Sequence, residues 1–268
     1  VAEAWSCFYP YPSDLFLIED PSLPSGYRLK LSEAAQPQHV DGGPAEAFRE
    51  LDQDGASILP QIEVYLPEPI VTEELASHAK VSSGAPTAEG STLLIDTERG
   101  ALVPHFAETK PDPGLGDGQL LAIRPLAPLE PSRRYVVALQ NLTTVSTGEA
   151  LSPSPTFKGL RDGEGNDDAL QRYYESHVFD ALGTLEVPRD TLQLAWSFTT
   201  GSDALRTGRM QSIRDQLHAH LSVTPPEVTI TEVSESPSGH VARAIRGTIA
   251  VPSFVSDAEP TATLVLDA

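Results

Sequence analysis

The chain has 268 residues, of which 40 % are apolar, enough for one or two domains with a packed core. Its formal net charge of −20 argues against nucleic acid and against an anionic membrane surface, since both need clustered Lys and Arg. No stretch approaches the roughly 20 apolar residues of a membrane-spanning helix.

The chain opens on Val1 rather than Met, and its last residues, 262–268, read as a strand that stops abruptly. Both ends are expected to be cuts from a longer protein. Cys7 is the single cysteine, so no internal disulfide is possible. It reads as a small buried hydrophobe, or as a partner for a cysteine upstream. In Tyr9-Pro10-Tyr11-Pro12 the prolines forbid a helix and disfavour a central strand. An extended edge segment is expected there, running into the apolar Leu15-Phe16-Leu17-Ile18. Residues 33–56 read as a polar loop around Gly42-Gly43-Pro44, with one helical turn near Phe48 to Leu51.

Short β-like runs follow: Ile62-Glu63-Val64-Tyr65-Leu66, Ser91-Thr92-Leu93-Leu94-Ile95-Asp96, Leu120-Leu121-Ala122-Ile123-Arg124-Pro125, and Tyr135-Val136-Val137-Ala138-Leu139. With Pro 24 and Gly 19 between and around them, they predict a mainly-β sandwich or barrel. The period then changes. Leu170, Tyr173, Tyr174, Val178, Ala181, Leu182 and Leu185 recur at helical spacing after a candidate N-cap, Asp167, and Gly183 and Pro188 end the helix. Leu192, Leu194, Trp196 and Phe198 alternate with Gln193, Ala195 and Ser197, a half-buried strand with its aromatics inward. Ser202 caps a further helix with the stripe Met210, Ile213, Leu217 and Leu221, which Pro225-Pro226 closes. Two more β-runs, 228–233 and 244–252, lack the partners to bury their faces. They are read as the beginning of a second unit.

Chemistry-bearing motifs are sparse. No Gly-x-Ser-x-Gly elbow occurs, and Ser236-Pro237-Ser238-Gly239-His240 reads as a hairpin turn. His218 and His220 stand two apart on a helix and point in different directions, so they read as last-turn cations rather than metal ligands. Gly114-Leu115-Gly116-Asp117-Gly118 joins no strand to a helix and reads as a surface loop. The loop Asp162-Gly163-Glu164-Gly165-Asn166-Asp167-Asp168 is rich in oxygen ligands. Asp162, Glu164, Asn166 and Asp168 are the candidate ligands for Ca²⁺, which takes six to eight oxygens, although the spacing is not that of an EF-hand. The competing reading is a solvated loop leading to a helix cap, with no cofactor.

Three segments carry a resemblance: Tyr11-Pro12-Ser13-Asp14-Leu15-Phe16, the stretch Leu126-Ala127-Pro128-Leu129-Glu130-Pro131-Ser132-Arg133-Arg134-Tyr135-Val136-Val137, and Leu192-Gln193-Leu194-Ala195-Trp196-Ser197-Phe198-Thr199-Thr200. In order and spacing over 8–202 they resemble the N-terminal region of secreted bacterial proteins of the virulence-factor-lipase type. The Trp-x-Phe-Thr-Thr ending is similar to the last strand of bacterial Ig-like domains. Ser197 departs from the pattern, which has an acidic residue there. The resemblance implies an Ig-like β-domain ahead of an α/β-hydrolase domain, with Gly247-Thr248-Ile249-Ala250-Val251-Pro252 leading into the hydrolase and its catalytic residues beyond Ala268.

The expectation is therefore an Ig-like β-sandwich with an inserted helix over 1–201, a linker helix over 202–222, and an incomplete second, hydrolase-type domain over 223–268. Its function is read as an extracellular, non-catalytic accessory to the adjacent hydrolase domain. One alternative is an Ig-like binding module for a polymer, glycan or protein. Another is a hydrolase with an unrecognised acidic site.

Overall fold

A computed structural model describes residues 10–31, 53–73, 75–78, 86–111, 118–259, 262 and 264–266. Cys7, Tyr9, the 48–51 turn and residues 114–117 of the glycine-rich loop lie outside them. The chain divides into two compact units, Val1–Leu205 and Arg206–Ala268.

The first unit is mainly β. Strands β1 (Leu17–Glu19) and β2 (Tyr27–Leu29) form a small antiparallel hairpin. Strands β3 (Ile62–Leu66), β6 (His105–Pro111) and β7 (Gln119–Pro125) form a sheet in the order β3-β7-β6. Strands β4 (Thr92–Asp96), β5 (Ala101–Leu102), β8 (Arg134–Gln140) and β9 (Leu192–Thr199) form a second in the order β5-β4-β8-β9. Tyr11 extends the first sheet through an antiparallel bridge to Glu63, closed by N–H···O bonds of 2.9 and 2.7 Å. The expected extended edge is thus one bridge long, and Pro10 and Pro12, which have no N–H to give, flank it. Lettering the Tyr11 segment and β3–β9 as A to G, with β5 as C′, gives A-B-E-D facing C′-C-F-G. That is the strand order of an Ig-like sandwich. At the start of the F-like strand, the Tyr135 hydroxyl accepts the Glu130 N–H at 2.9 Å, the tie that pins the preceding corner in such folds.

Side-chain alternation explains the continuous apolar runs. From β4 and β8, Leu94, Tyr135, Val137 and Leu139 point between the sheets, where they meet Ile62, Val64, Leu121 and Ile123. Their neighbours Leu93, Ile95, Val136 and Ala138 point the other way, into a second core. A strand buried on both faces needs apolar residues at every position.

That second core is covered by helices inserted between β8 and β9. Helix α1 (Pro155–Asp162) is set by Ser154, whose side chain accepts the Phe157 N–H, by Pro155 at its first position, and by Gly163 in the left-handed region at φ 76°. Helix α2 (Asp168–Tyr174) begins at Asp167, whose carboxylate accepts the N–H groups of Ala169 and Leu170. It widens into a π-turn over Glu175–Phe179 and ends as α3 (Asp180–Gly183). Phe157, Leu160, Tyr174, Val178, Phe179 and Leu182 press onto the sheet.

The expected half-buried β9 is corrected by this layer, which buries its outer face as well. A bulge sharpens the difference. The β8–β9 register skips Gln193, so Leu192 joins Ala195 on the helical side rather than Trp196 and Phe198 between the sheets. The Gln193 amide then ties down the inserted chain, accepting the Leu142 N–H and donating to the Leu142 and Leu151 carbonyls.

Helix α4 (Asp203–Val223) crosses the division between the units. Ser202 caps it, accepting the Leu205 N–H at 3.1 Å, as the sequence predicts. Its stripe of Met210, Ile213, Leu217 and Leu221 has no buried member. The second unit also holds the antiparallel hairpin β10 (Val228–Ser238) and β11 (Val241–Ile249), turned at Gly239-His240.

Candidate functional site

The densest chemistry-bearing constellation among the described residues lies where the N-terminal segment meets the helical layer. Ser13 caps a 3₁₀ turn over Asp14–Phe16 and so fixes Asp14. Ser197 follows Trp196 on β9 and therefore faces the helices, opposite Val136. Tyr173 and His177, four apart on the α2–π-turn segment, face the same way. Arg134 opens β8.

These five side chains join around one carboxylate. Asp14 Oδ2 accepts from Ser197 Oγ at 2.9 Å, from Tyr173 Oη at 2.9 Å and from Arg134 Nε at 3.2 Å. The two hydroxyl oxygens are 2.5 Å apart. The Asp14 side chain is 6 % exposed, and its Oδ1 is buried with no partner among the described residues. Arg134 Nη1 lies 3.0 Å from His177 Nδ1. A guanidinium can only donate, so Nδ1 accepts and the imidazole is neutral with its proton on Nε2. Burial first, and then Arg134, hold the His177 pKa below its ordinary value. Burial first, and then the Asp14 charge, push the Tyr173 phenol well above its ordinary range.

These contacts hold the site together. A nucleophilic serine needs a base on its hydroxyl and an approach for the acyl carbon. Ser197 is 2 % exposed, and its hydroxyl is bonded to Asp14 Oδ2 and Tyr173 Oη. His177 faces Arg134 instead, and Tyr173 keeps its proton. Beside the cluster, Trp196 Nε1 donates to the Pro12 carbonyl at 2.9 Å, so the N-terminal segment is clasped to β9 at two successive residues. The carboxylate beside Ser197 is thus that of Asp14. It comes from a distant part of the chain.

The four calcium candidates are distributed differently. Asp162 ends α1, where its carboxylate takes Arg161 Nε at 2.7 Å and Lys158 Nζ at 2.5 Å. Those contacts, Arg161 first, pull its pKa down to about 2. Asp168 opens α2 and is exposed. Glu164 and Asn166 line a cleft of about 280 Å³ between α1 and α2. The carboxylate with a defined backbone role is Asp167, the α2 cap. Among the described residues, no group of three or more His, Cys, Asp or Glu side chains is placed to hold a metal ion.

Sequence reasoning missed Arg134, Tyr173 and His177 as polar partners. Tyr173 sits in the helical stripe and reads as core. Nothing local distinguishes Arg134 from its neighbour Arg133. No protein-family model and no curated protein matches the sequence.

Proposed function

We propose that this chain is a non-catalytic accessory region of a secreted bacterial lipase- or esterase-like hydrolase, in which the sandwich is a finished scaffold and the 228–249 hairpin belongs to the neighbouring domain's sheet. The observation that carries this reading is the apolar face of that hairpin. Opposed pairs in the register share a face, so Val228, Ile230, Val233, Ile245 and Ile249 lie together, with Thr229, Glu232, Ser234, Arg246 and Thr248 on the other side. The register shift between Ile230 and Glu232 keeps Val233 on the side of Ile230, three residues away. All five apolar residues are more than half exposed. A two-stranded sheet in water is marginal at best, and an apolar stripe on one face calls for another layer.

The hydrolase identity of the neighbour rests on the resemblance of segments 11–16, 126–137 and 192–200, and on the likeness of 247–252 to strands leading into a hydrolase. The closed Ser197 cluster fits a scaffold role. The test is hydrolysis of short- and long-acyl chromogenic esters by the purified, folded chain. No turnover above buffer is expected. Turnover that survives repurification and disappears in Ser197→Ala would overturn the reading.

A further inference from the structure

A cleft of about 510 Å³ opens beside the π-turn, α3 and the start of β9, lined by Glu175, Phe179, Asp180, Leu182, Val187 and Arg189, among others. Its size falls in the range of ligand sites. Leu182 and Val187 are buried and make an apolar wall. Arg189 lies inside it. Its guanidinium carbon stands 3.8 Å from the centroid of the Phe179 ring, and Nη2 meets Glu175 Oε2 at 2.6 Å. An aromatic face beside a carboxylate is a cation seat, and the chain's own arginine sits in it.

The seat fits Arg189 imperfectly. Its Nε is shut off from solvent and has no acceptor among the described residues. A buried donor without a partner is unfavourable, so Arg189 is held less firmly than a fully bonded guanidinium would be. The surroundings favour a cation as well. Asp180 adds a second carboxylate to the lining, and between Pro155 and Thr191 acids outnumber bases eight to four. An overall charge of −20 steers positive partners toward the surface.

We propose that this cleft is a docking site for an arginine side chain of a partner protein, and that Arg189 is its resident competitor. The incoming guanidinium stacks on Phe179 and bonds to the Glu175 carboxylate, its aliphatic stem takes the place of the Arg189 stem, and Arg189 swings out toward solvent. The site does not depend on a hydrolase neighbour.

Titration of ¹⁵N-labelled protein with the blocked peptide acetyl-leucyl-arginyl-leucine amide tests this by NMR. Saturable shifts confined to 175–192 are expected. The citrulline peptide, a neutral near-isostere, should bind about tenfold more weakly, as should the arginine peptide to Glu175→Gln, each losing one charge-assisted contact. Arg189→Gln, which vacates the seat, should bind several-fold more tightly, with an unchanged melting temperature of the sandwich as the check on folding. Three results would overturn the proposal: no saturable shifts in this segment for either wild type or Arg189→Gln at roughly 10 mM peptide, loss of binding in Arg189→Gln, or tighter binding of the glutamyl peptide than of the arginyl one. The second and third would mark an anion site with Arg189 as its ligand.

Discussion

Strand β8 and the apolar face of the β10–β11 hairpin are built from the same kind of residue, apolar and in part β-branched, and they end in opposite environments. In β8 every residue from Tyr135 to Gln140 is buried, because a second sheet covers one face and helices the other. In β10 and β11 the apolar face is open, and Ile245 is 58 % exposed. Strand formation is a local property, whereas burial is supplied by layers that come from elsewhere in the chain or from another domain. The sandwich has its layers, and among the described residues none covers the hairpin's apolar face.

Breaking the sandwich should show this most strongly. Trp196→Ala empties the inter-sheet core and removes the bond to Pro12, so a loss of about 3–5 kcal/mol is expected in urea unfolding. Asp14→Ala removes an acceptor shared by three donors and leaves Arg134 without its carboxylate. A loss of about 2–3 kcal/mol is expected. A double-mutant cycle with Ser197→Ala should show coupling, while a zero interaction energy would dissolve the cluster as a unit. Tyr135→Phe leaves the Glu130 N–H unpaired and should cost about 1 kcal/mol.

Acid should weaken the sandwich without touching the hairpin. Burial lowers the pKa of His105, whose ring nitrogens meet Thr92 and Val103, and burial with Arg134 lowers that of His177. A histidine with a depressed folded pKa takes up its proton more readily when unfolded. Stability present above about pH 6.5 is therefore lost as the pH falls from there toward the folded values. Melting curves between neutral pH and pH 5 should show this, and His177→Gln should flatten part of the dependence. The smallest effect belongs to the hairpin: Ile245→Thr should change global stability by less than about 0.5 kcal/mol, while lowering the binding of a hydrophobic dye.

Much of this was legible in the sequence. The runs at 62–66, 120–125 and 135–139, the helix from Asp167 and the Ser202 cap all follow from period and punctuation. Helix α1 was missed although its signals, Ser154-Pro155 before and Gly163 after, stand in plain view. Its eight residues are too few for a clear period. The bulge at Gln193 is invisible locally, because alternation alone assigns Leu192 to the face of Trp196. The Asp14 cluster draws on positions up to 183 residues apart, and no spacing rule reaches that far. Asp14, Arg134 and Ser197 stand in the segments of the resemblance, while Tyr173 and His177 become partners through the fold alone.

Native-state amide hydrogen exchange on the purified chain tests the contrast between the two regions most directly. The account predicts that amides of β4 and β8 exchange only through global unfolding, while those of β10 and β11 exchange through local opening of far lower free energy. Protection across 228–249 equal to that of β4 and β8 would mean that the hairpin already has its covering layer, and would contradict the account.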